Sequence, residues 1–371
     1  MAIAGGGLAG LALSILLAKQ GHKVVLLEKE QYPFHKVCGE YISLESWDFL
    51  QGLGLDLPAL QVSMITRLRV SAVNGNQLKQ PLPLGGFGIS RYRLDDELAR
   101  IARKAGVVIR ENTRVNDIVF DDNEFTLTTA RQRYRAAVVC GTYGKRSNID
   151  VKWKRPFITA PKNKLNNYIG VKYHVRAGFP ADTIALHIFK NGYCGISKVE
   201  DNKYCLCYMT TAANLQQSGG QVKEMELTIL SENPHLQKLF SESERLMETP
   251  VTISQISFDK KKQVENHVLM VGDAAGMITP LCGNGMSMAL HSSKLAAGQV
   301  HLFLQGAISR EEMEKAYTLQ WVRQFTRRLA MGRMIQRLFG SRWLSHCLVM
   351  TAKSFPRFTR FLIRQTHGQP F

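Results

Sequence analysis

The chain has 371 residues, more than the roughly 100–200 of one ordinary domain, which predicts two joined domains or one large elaborated domain. With 45% hydrophobic and 21% charged residues, the composition is globular and excludes collagen-like, coiled-coil and disordered chains. The seven cysteines are scattered without a CxxC pair, so we expect neither a disulfide framework nor a metal site. No apolar run is long enough to span a bilayer and no secretory signal is evident, which predicts a cytoplasmic protein.

The N-terminal segment has the pattern of a β-α-β unit. A short apolar stretch, Met1–Ala4, precedes a glycine-rich turn, and Leu11–Lys19 then has the spacing of a helix. The next segment, Lys23–Glu28, is a continuous apolar run of the kind found in buried parallel strands, and it ends in an acid. Because the first strand is unusually short, we expect one or two residues to be missing ahead of it.

The glycine-rich turn has the spacing Gly5-x-Gly7-x-x-Gly10. In this pattern the first glycine makes a tight turn, the second lets the backbone approach a pyrophosphate, and the third packs helix on strand. The helix N-terminus offers N–H groups to the phosphate, and Glu28 can accept hydrogen bonds from ribose hydroxyls. We place the adjacent Lys29 in the same binding set. The segment therefore predicts a dinucleotide site, without separating FAD from NAD(P)H.

The middle of the chain alternates strand and helix patterns. Leu44–Leu53 and Arg93–Ala105 have helical spacing, and Asn74-Gly75-Asn76 predicts a hairpin turn. The predicted strands are Arg67–Val73, Gln77–Leu84, Val107–Ile109, Val115–Phe120, Glu124–Thr129, Ala136–Cys140, Tyr168–Val175, Thr183–Phe189, Tyr193–Ile196, Tyr204–Thr210 and Val268–Val271. After the last of these strands the chain reads as helical to its end.

A second glycine-rich motif follows the last predicted strand. It consists of Gly272-Asp273-Ala274-Ala275-Gly276, Pro280 and Gly283-Asn284-Gly285-Met286. Here the chain resembles the flavoprotein superfamily of aromatic-ring hydroxylases and geranylgeranyl reductases. The resemblance implies FAD as the cofactor, with Asp273 against the ribityl chain. It also implies that the helix after Gly283 turns its N-terminal amides toward the flavin pyrimidine, where they stabilise negative charge.

Two further segments match this superfamily. Lys36-Val37-Cys38-Gly39-Glu40 looks like the K-x-C-G segment of the geranylgeranyl reductase branch, which lies over the flavin. The resemblance makes Cys38 a candidate for cofactor contact and catalysis, although a buried structural cysteine is the alternative. Glu40 is either a proton donor or a solvated acid. Arg91, Leu94, Asp95 and Leu98 resemble the superfamily's R-x-x-L-D-x-x-L helix start, which implies that Arg91 reaches the FAD phosphates or the ribityl chain. A surface arginine is the alternative, with Arg93 as a competitor for the role.

Two family elements are altered. Tyr143 occupies the position where ring hydroxylases carry an Asp linked to FAD and NAD(P)H handling, which puts direct reduction by NAD(P)H in doubt. Tyr193 matches the Y-x-W-x-F-P segment of the prenyl reductases and is a candidate catalytic residue, but Gly195 replaces the Trp. His291, near the helix after the flavin motif, is the one histidine that we single out.

The C-terminal segment is strongly basic. From residue 315 to residue 371 there are eleven Lys or Arg and no Asp or Glu, which supplies +11 of the net charge of +18. Bulky apolar residues such as Trp321, Phe325, Leu329 and Phe358 recur at helical spacing among the cations. An amphipathic helix of this kind suits an anionic membrane surface, and helices packed on the body with a solvated basic face are an equal alternative. An acidic carrier protein is a further partner, whereas nucleic acid is disfavoured because no binding motif accompanies the segment.

Together these patterns predict an α/β protein with a Rossmann-like FAD-binding domain, a β-rich substrate domain and a helical C-terminal segment. We assign residues 1–60, 85–150 and 268–300 to the first, 61–84 and 151–267 to the second, and 301–371 to the third. The resemblance implies an FAD-dependent oxidoreductase, either a monooxygenase or an alkene or prenyl reductase, acting on an apolar molecule such as a polyketide, quinone or isoprenoid. NAD(P)H is left open as electron donor. The alternative is a non-catalytic or carrier-docking flavoprotein at the inner face of the membrane.

Overall fold

The computed structural model describes residues 1–161, 166–279, 283–339, 342–355 and 368–371, so Pro280 and Phe358 lie outside the described residues. The described strands are β1 Ala2–Ala4, β2 Val25–Leu27, β3 Tyr41–Ser43, β4 Ser63–Ser71, β5 Gln77–Gly88, β6 Val108–Arg110, β7 Val115–Asp121, β8 Glu124–Thr129, β9 Arg133–Ala136, β10 Val139–Gly141, β11 Tyr168–Arg176, β12 Thr183–Phe189, β13 Gly192–Lys198, β14 Tyr204–Thr211, β15 Glu244–Arg245, β16 Val251–Ile256, β17 Val264–Glu265 and β18 Val268–Met270. The described helices are α1 Leu8–Lys19, α2 Trp47–Leu53, α3 Arg91–Lys104, α4 Asn148–Lys152, α5 Pro156–Thr159, α6 Ala212–Gln217, α7 Val222–Thr228, α8 Pro234–Glu242, α9 Gly285–Leu304, α10 Arg310–Phe339 and α11 Arg342–Ser354.

A six-stranded sheet forms the Rossmann-like layer, in the order β17-β18-β10-β1-β2-β6. Its pairs are parallel except for β17 with β18, and Ile3 in β1 lies between Cys140 of β10 and Leu26 of β2. These three side chains are fully buried, as continuous apolar runs in a parallel sheet require. The continuous apolar runs of the sequence therefore predicted this layer correctly.

A nine-stranded sheet forms the second layer, in the order β15-β11-β14-β13-β12-β4-β5-β3, with β16 paired to β11. The predicted hairpin between β4 and β5 is confirmed, and the Asn76 N–H donates to Asn74 Oδ1 within its turn. Strands β7, β8 and β9 form a separate antiparallel sheet.

The strands cross our predicted domain boundaries at three places, and at one of them β5 runs past residue 84 to Gly88. Strand β3 pairs antiparallel with the end of β5 and so belongs to the large sheet, although it falls in the segment 1–60. Strand β17 pairs with β18 in the six-stranded sheet, although it falls in the segment 151–267. The short strands β3 and β17 join these sheets through pairing with β5 and β18, and no local sequence pattern indicates that pairing.

Helix α3 begins at Arg91, earlier than its apolar spacing indicated, because the Ser90 hydroxyl accepts a hydrogen bond from the Arg93 N–H and caps the first turn. Helices α9, α10 and α11 agree with the predicted helical C-terminal part, whereas residues 368–371 are not helical. Within the described ranges, no helix combines the length and the apolar character needed to cross a bilayer.

Candidate functional site

A cavity of about 1210 Å³ lies at the carboxyl ends of the parallel strands and extends along one face of the large sheet. One part is lined by the first glycine turn, the start of α9 and a set of charged side chains. The other part is lined by apolar side chains of the large sheet, the C-terminal helices and the segment after Gly276: Leu68, Val70, Leu78, Leu82, Ile184, Leu186, Met209, Ile253, Met277, Met334, Val349 and Ala352. We refer to these two parts as the cofactor cleft and the apolar chamber.

The first glycine turn has the geometry that the dinucleotide pattern requires. Gly5 adopts φ +111°, in the left-handed region that favours glycine. A Cβ at Gly10 would lie 2.1 Å from the Gly5 carbonyl oxygen, so only glycine lets α1 pack this closely on β1. A Cβ at Gly7 would lie 3.7 Å from both Arg91 Nη2 and Lys36 Nζ, so the bare backbone of Gly7 faces two cations. Thr142 fixes the turn by donating from its hydroxyl to the Ala4 carbonyl (3.1 Å).

Glu28 lies at the end of β2 and lines the cofactor cleft. Its Oε2 accepts a hydrogen bond from the Gly6 N–H (2.6 Å) and its Oε1 accepts one from the Glu30 N–H (3.0 Å), which orients the carboxylate. The Tyr32 hydroxyl donates to the Gly6 carbonyl (2.5 Å) and buttresses the same turn. Lys29 lies at the rim of the cleft and pairs with Glu30 (3.3 Å).

A buried charge cluster faces the start of α1. The Arg91 guanidinium donates from Nε and Nη2 to the two oxygens of Asp95 (2.7 Å each), and Lys36 Nζ lies 3.1 Å from Asp95 Oδ2. Burial alone would raise the pKa of Asp95, but Arg91 and Lys36 lower it, so the cluster of two cations and one anion carries a net charge of +1. Arg93 does not line the cavity, whereas Arg91 does.

Helix α1 has no side-chain N-cap and no acid in its first turn. Its first N–H groups therefore lack the usual carboxylate or hydroxyl acceptor, and Gly7, Leu8 and Ala9 line the cleft. A pyrophosphate supplies that acceptor, and Arg91 with Lys36 supplies the counter-charge. On these observations the residues present fit the diphosphate of FAD.

The second glycine motif also lines the cofactor cleft. Gly272 and Gly283 adopt φ +66° and +64°, and Asp273, Gly285 and Met286 line the cleft, with α9 beginning at Gly285. The uncapped start of α9 places a second positive helix end at the cleft.

The buried side chains of Lys261 and Arg155 donate hydrogen bonds to backbone carbonyls of this motif. The Lys261 ammonium donates to the carbonyls of Lys145 and Asp273 (2.8 Å each), and burial lowers the pKa of Lys261 to about 8. Arg155 donates to Asp150 (2.8 Å) and to the Ala274 carbonyl (3.1 Å). No sequence motif marks Lys261 or Arg155, because each acts on backbone that is remote in the chain.

Glu40 is fully buried, in the left-handed region at φ +55°. Its Oε1 accepts from Lys172 Nζ and from the Arg91 N–H (2.7 Å), and its Oε2 lies 2.6 Å from His174 Nε2. Burial alone would raise the pKa of Glu40, but Lys172 and His174 lower it to about 2. The expectation of a proton donor is therefore not supported, because this carboxyl group is ionised at neutral pH and has no proton to give. Nor is it a solvated acid.

The neighbouring residues of this loop face the cavity. Cys38 is half-buried and lines the cleft, and its carbonyl accepts from the Cys205 thiol (3.2 Å). The Gly39 carbonyl accepts from the Ser197 hydroxyl (3.2 Å), so strands β13 and β14 of the large sheet hold the loop. Tyr193 lies on β13 and lines the cavity, which brings it and Cys38 to one continuous space.

Two other singled-out residues have different positions. Tyr143 also lines the cleft, and its hydroxyl contacts Met270 Sδ (3.1 Å). His291 packs outside the cavity lining, with its ring stacked on Phe371 at 4.1 Å between centroids. Burial lowers the pKa of His291 to about 4, so it is a neutral packing residue. Across the described ranges, no group of three or more His, Cys, Asp or Glu is placed to hold a metal ion.

Comparison with known proteins adds four similarities. A family model described as an FAD binding domain matches residues 1–319. Conditioned medium factor receptor 1 of Dictyostelium discoideum is 26% identical over 365 residues, covering 90% of this chain and 69% of that protein. The digeranylgeranylglycerophospholipid reductase of Methanosarcina acetivorans is 24% identical over 336 residues, covering 86% of this chain and 79% of the reductase. The crystal structure of CmlS, a flavin-dependent halogenase, superposes with a TM-score of 0.79 at 19% identity, covering 97% and 70% of the two chains.

Proposed function

The chain belongs to the FAD binding domain family, and we propose that it is an FAD-dependent oxidoreductase that acts on an apolar small molecule. The observation that carries the proposal is that the cofactor cleft and the apolar chamber form one continuous cavity, with no wall of described residues between them. A cofactor in the cleft and an apolar substrate in the chamber would thus share one space.

The residues of the cleft divide the work of holding FAD. The start of α1, with Arg91 and Lys36, would hold the pyrophosphate, and Glu28 would accept from the adenosine ribose. Asp273 would contact the ribityl chain, and the start of α9 would face the flavin pyrimidine. When bound, the flavin supplies hydride and electron transfer, and the protein supplies orientation and electrostatics.

The chamber would bind the substrate through burial rather than through charge. Its lining includes aliphatic and methionine side chains of β4, β12 and β14 such as Leu68, Leu186 and Met209. Such a surface favours an apolar molecule of the polyketide, quinone or isoprenoid type and excludes water from the reacting atoms. Tyr193 and Cys38 are the chamber and cleft residues that we propose to contact the substrate and the cofactor.

Reduction of an alkene or a related electron-poor double bond is the version that we favour. The Lys36–Glu40 segment resembles that of the reductase branch, and its Cys38 lines the cavity. Since Glu40 is ionised, the proton in this version would come from Tyr193 or from solvent rather than from Glu40. Monooxygenation is the second candidate, because Gly195 lines the chamber at the position of the reductase Trp.

The visible absorption spectrum of the purified protein tests the proposal. We expect flavin absorption bands. Their bleaching is then followed under anaerobic conditions after addition of NADH, then NADPH, then a chemical reductant. Re-oxidation of the reduced protein by a quinone or a polyprenyl alkene under anaerobic conditions supports the reductase, whereas substrate-dependent oxygen uptake supports the monooxygenase. Bands that persist with both nicotinamides point to a separate electron donor and implicate Tyr143. A colourless protein that takes up no added FAD overturns the proposal.

A non-catalytic or carrier-docking flavoprotein makes a different prediction for the same experiment. Such a protein would hold FAD, yet no apolar substrate would re-oxidise its reduced form faster than buffer does. The Tyr143 substitution is the feature in its favour.

A further inference from the structure

One side of α10 is buried and the opposite side is exposed. Trp321, Phe325 and Leu329 pack into the core, so these residues support the packed-helix alternative of the sequence analysis rather than membrane contact. The exposed side carries residues that recur at helical spacing, which we call the α10 stripe: Lys315, Leu319, Val322, Arg323, Thr326, Arg327, Ala330 and Met334.

The α10 stripe combines exposed apolar side chains with cations. Leu319, Val322 and Met334 are 60%, 41% and 48% exposed, which is unusual for large apolar residues on one helix face. Arg323 and Arg327 lie beside them and form no ion pair with a described residue. By contrast, Arg328 on the neighbouring face turns inward toward Glu45 (3.8 Å).

The stripe ends where the apolar chamber reaches the surface. Met334 is both a member of the stripe and a lining residue of the chamber, and Val349 and Ala352 of α11 line the same chamber. Met350 on α11 is exposed as well. The apolar face of the stripe is therefore continuous with the apolar wall of the chamber.

We propose that the α10 stripe seats the protein on an anionic lipid bilayer, so that an apolar substrate passes from the lipid into the chamber beside Met334. A bilayer interface offers acyl chains and anionic head groups at one level, which matches apolar and cationic residues on one helix face. An acidic carrier protein would pair with the arginines but would leave Leu319 and Val322 without an apolar partner. The inference rests on the proposed function for the nature of the substrate.

Co-sedimentation of the full chain with vesicles tests this inference. We expect binding to vesicles that contain phosphatidylglycerol, weaker binding to pure phosphatidylcholine, and loss of the difference at high salt. The double variant Arg323→Gln/Arg327→Gln should bind anionic vesicles at least about tenfold more weakly. The variant Leu319→Gln/Val322→Gln should lose binding to both kinds of vesicle. Arg131→Gln/Arg133→Gln, which removes two exposed cations elsewhere, is the matched control and should bind as the wild type does.

A second measurement locates the chamber mouth. In Met334→Trp, brominated lipids in anionic vesicles should quench tryptophan fluorescence beyond the quenching of the wild-type protein. Equal binding by all three double variants, no added quenching, or binding to polyanions but not to vesicles overturns the inference. The flavin content of each variant is read from its absorbance, so failure of membrane binding with flavin retained is distinct from failure of the proposed function.

Discussion

Glu40 and Lys172 are 132 positions apart in the sequence and form a fully buried ion pair beside the cofactor cleft. Glu40 also accepts from the first N–H of α3 and contacts His174 on the same strand as Lys172. The loop contains Cys38, and the single carboxylate of Glu40 thus ties this loop both to the large sheet and to α3. Glu40 is a positioning residue, and its charge is part of the fold.

Glu40→Gln should destabilise the protein by about 3–5 kcal/mol, because it leaves the Lys172 ammonium buried without its counter-charge. Lys172→Met should lower the free energy of unfolding by a similar amount, because it leaves the Glu40 carboxylate buried without the Lys172 charge. The double variant should be closer to the wild type than the sum of the two losses, since no unpaired charge remains. Urea unfolding of the four proteins measures this, and additive losses would show that the pair is not coupled.

Gly10→Ala should abolish FAD retention, because the new Cβ would lie 2.1 Å from the Gly5 carbonyl and would push α1 away from β1. Gly298→Ala in α9 is the control, since a Cβ there meets nothing within 4 Å. The control should retain FAD and gain about 0.5–1 kcal/mol of stability from helix propensity. Flavin absorbance per protein and thermal unfolding check both outcomes. Normal flavin content in Gly10→Ala would contradict the tight packing described for this turn.

Arg91→Gln should weaken FAD binding at least about tenfold, or about 1.5 kcal/mol. The reason is that the substitution removes the charged hydrogen-bond donor of α3 that faces the start of α1. Arg93→Gln, two residues along the same helix and outside the cavity lining, should bind FAD normally. Titration of FAD into apoprotein, followed by flavin fluorescence, gives both dissociation constants. Equal losses in the two variants would mean that long-range charge, rather than contact, is responsible.

His187 should make stability fall as the pH is lowered. Burial, with the nearby charge of His235, lowers the pKa of His187 to about 3, while its unfolded value is about 6.5. Above pH 6.5 neither state binds this proton. Between pH 6.5 and 3 only the unfolded chain takes it up, so stability is lost across that window.

The variant His187→Asn can still accept from the Ser71 hydroxyl, which contacts His187 Nδ1 at 2.8 Å. Its free energy of unfolding should therefore depend less steeply on pH between 6.5 and 4 than that of the wild type. His346→Gln, at a surface contact with Asn74, should leave the slope unchanged. Urea unfolding at several pH values compares the slopes, and parallel curves for wild type and His187→Asn would contradict the assignment.

Local patterns predicted the parts of the site that are made by contiguous backbone. The positions of the turn from Gly5 to Gly10 and of the acid Glu28 were predictable, because each depends on spacing along a strand and a helix. Their roles in cofactor binding stay predictions. The same holds for Arg91, whose partner Asp95 lies one helical turn away on α3. Expectations failed where a residue's partners are remote in the chain.

Glu40 is the clearest such failure, since nothing near it in sequence indicates Lys172 or His174. Trp321 and Phe325 illustrate a choice that the sequence left open: their helical spacing fits both packing and membrane contact, because spacing does not tell which side of a helix meets the core. Tyr32 and Thr142, which hold the glycine turn through its carbonyls, carry no recognisable motif and needed the fold to be found.

Helices α1 and α9 contact each other and both begin at the cofactor cleft. A Cβ at Gly272, between them, would lie 3.0 Å from the Ala9 side chain and 3.5 Å from that of Ala289. Each helix start carries roughly half a positive charge, so two like poles are held together with Arg91 and Lys36 nearby. In the apoprotein these positive charges repel one another, and a bound anion such as a diphosphate would neutralise them. Added salt should screen this repulsion in the apoprotein more than in the liganded protein. The stability of the apoprotein should therefore rise more with ionic strength than the stability of the FAD-bound protein.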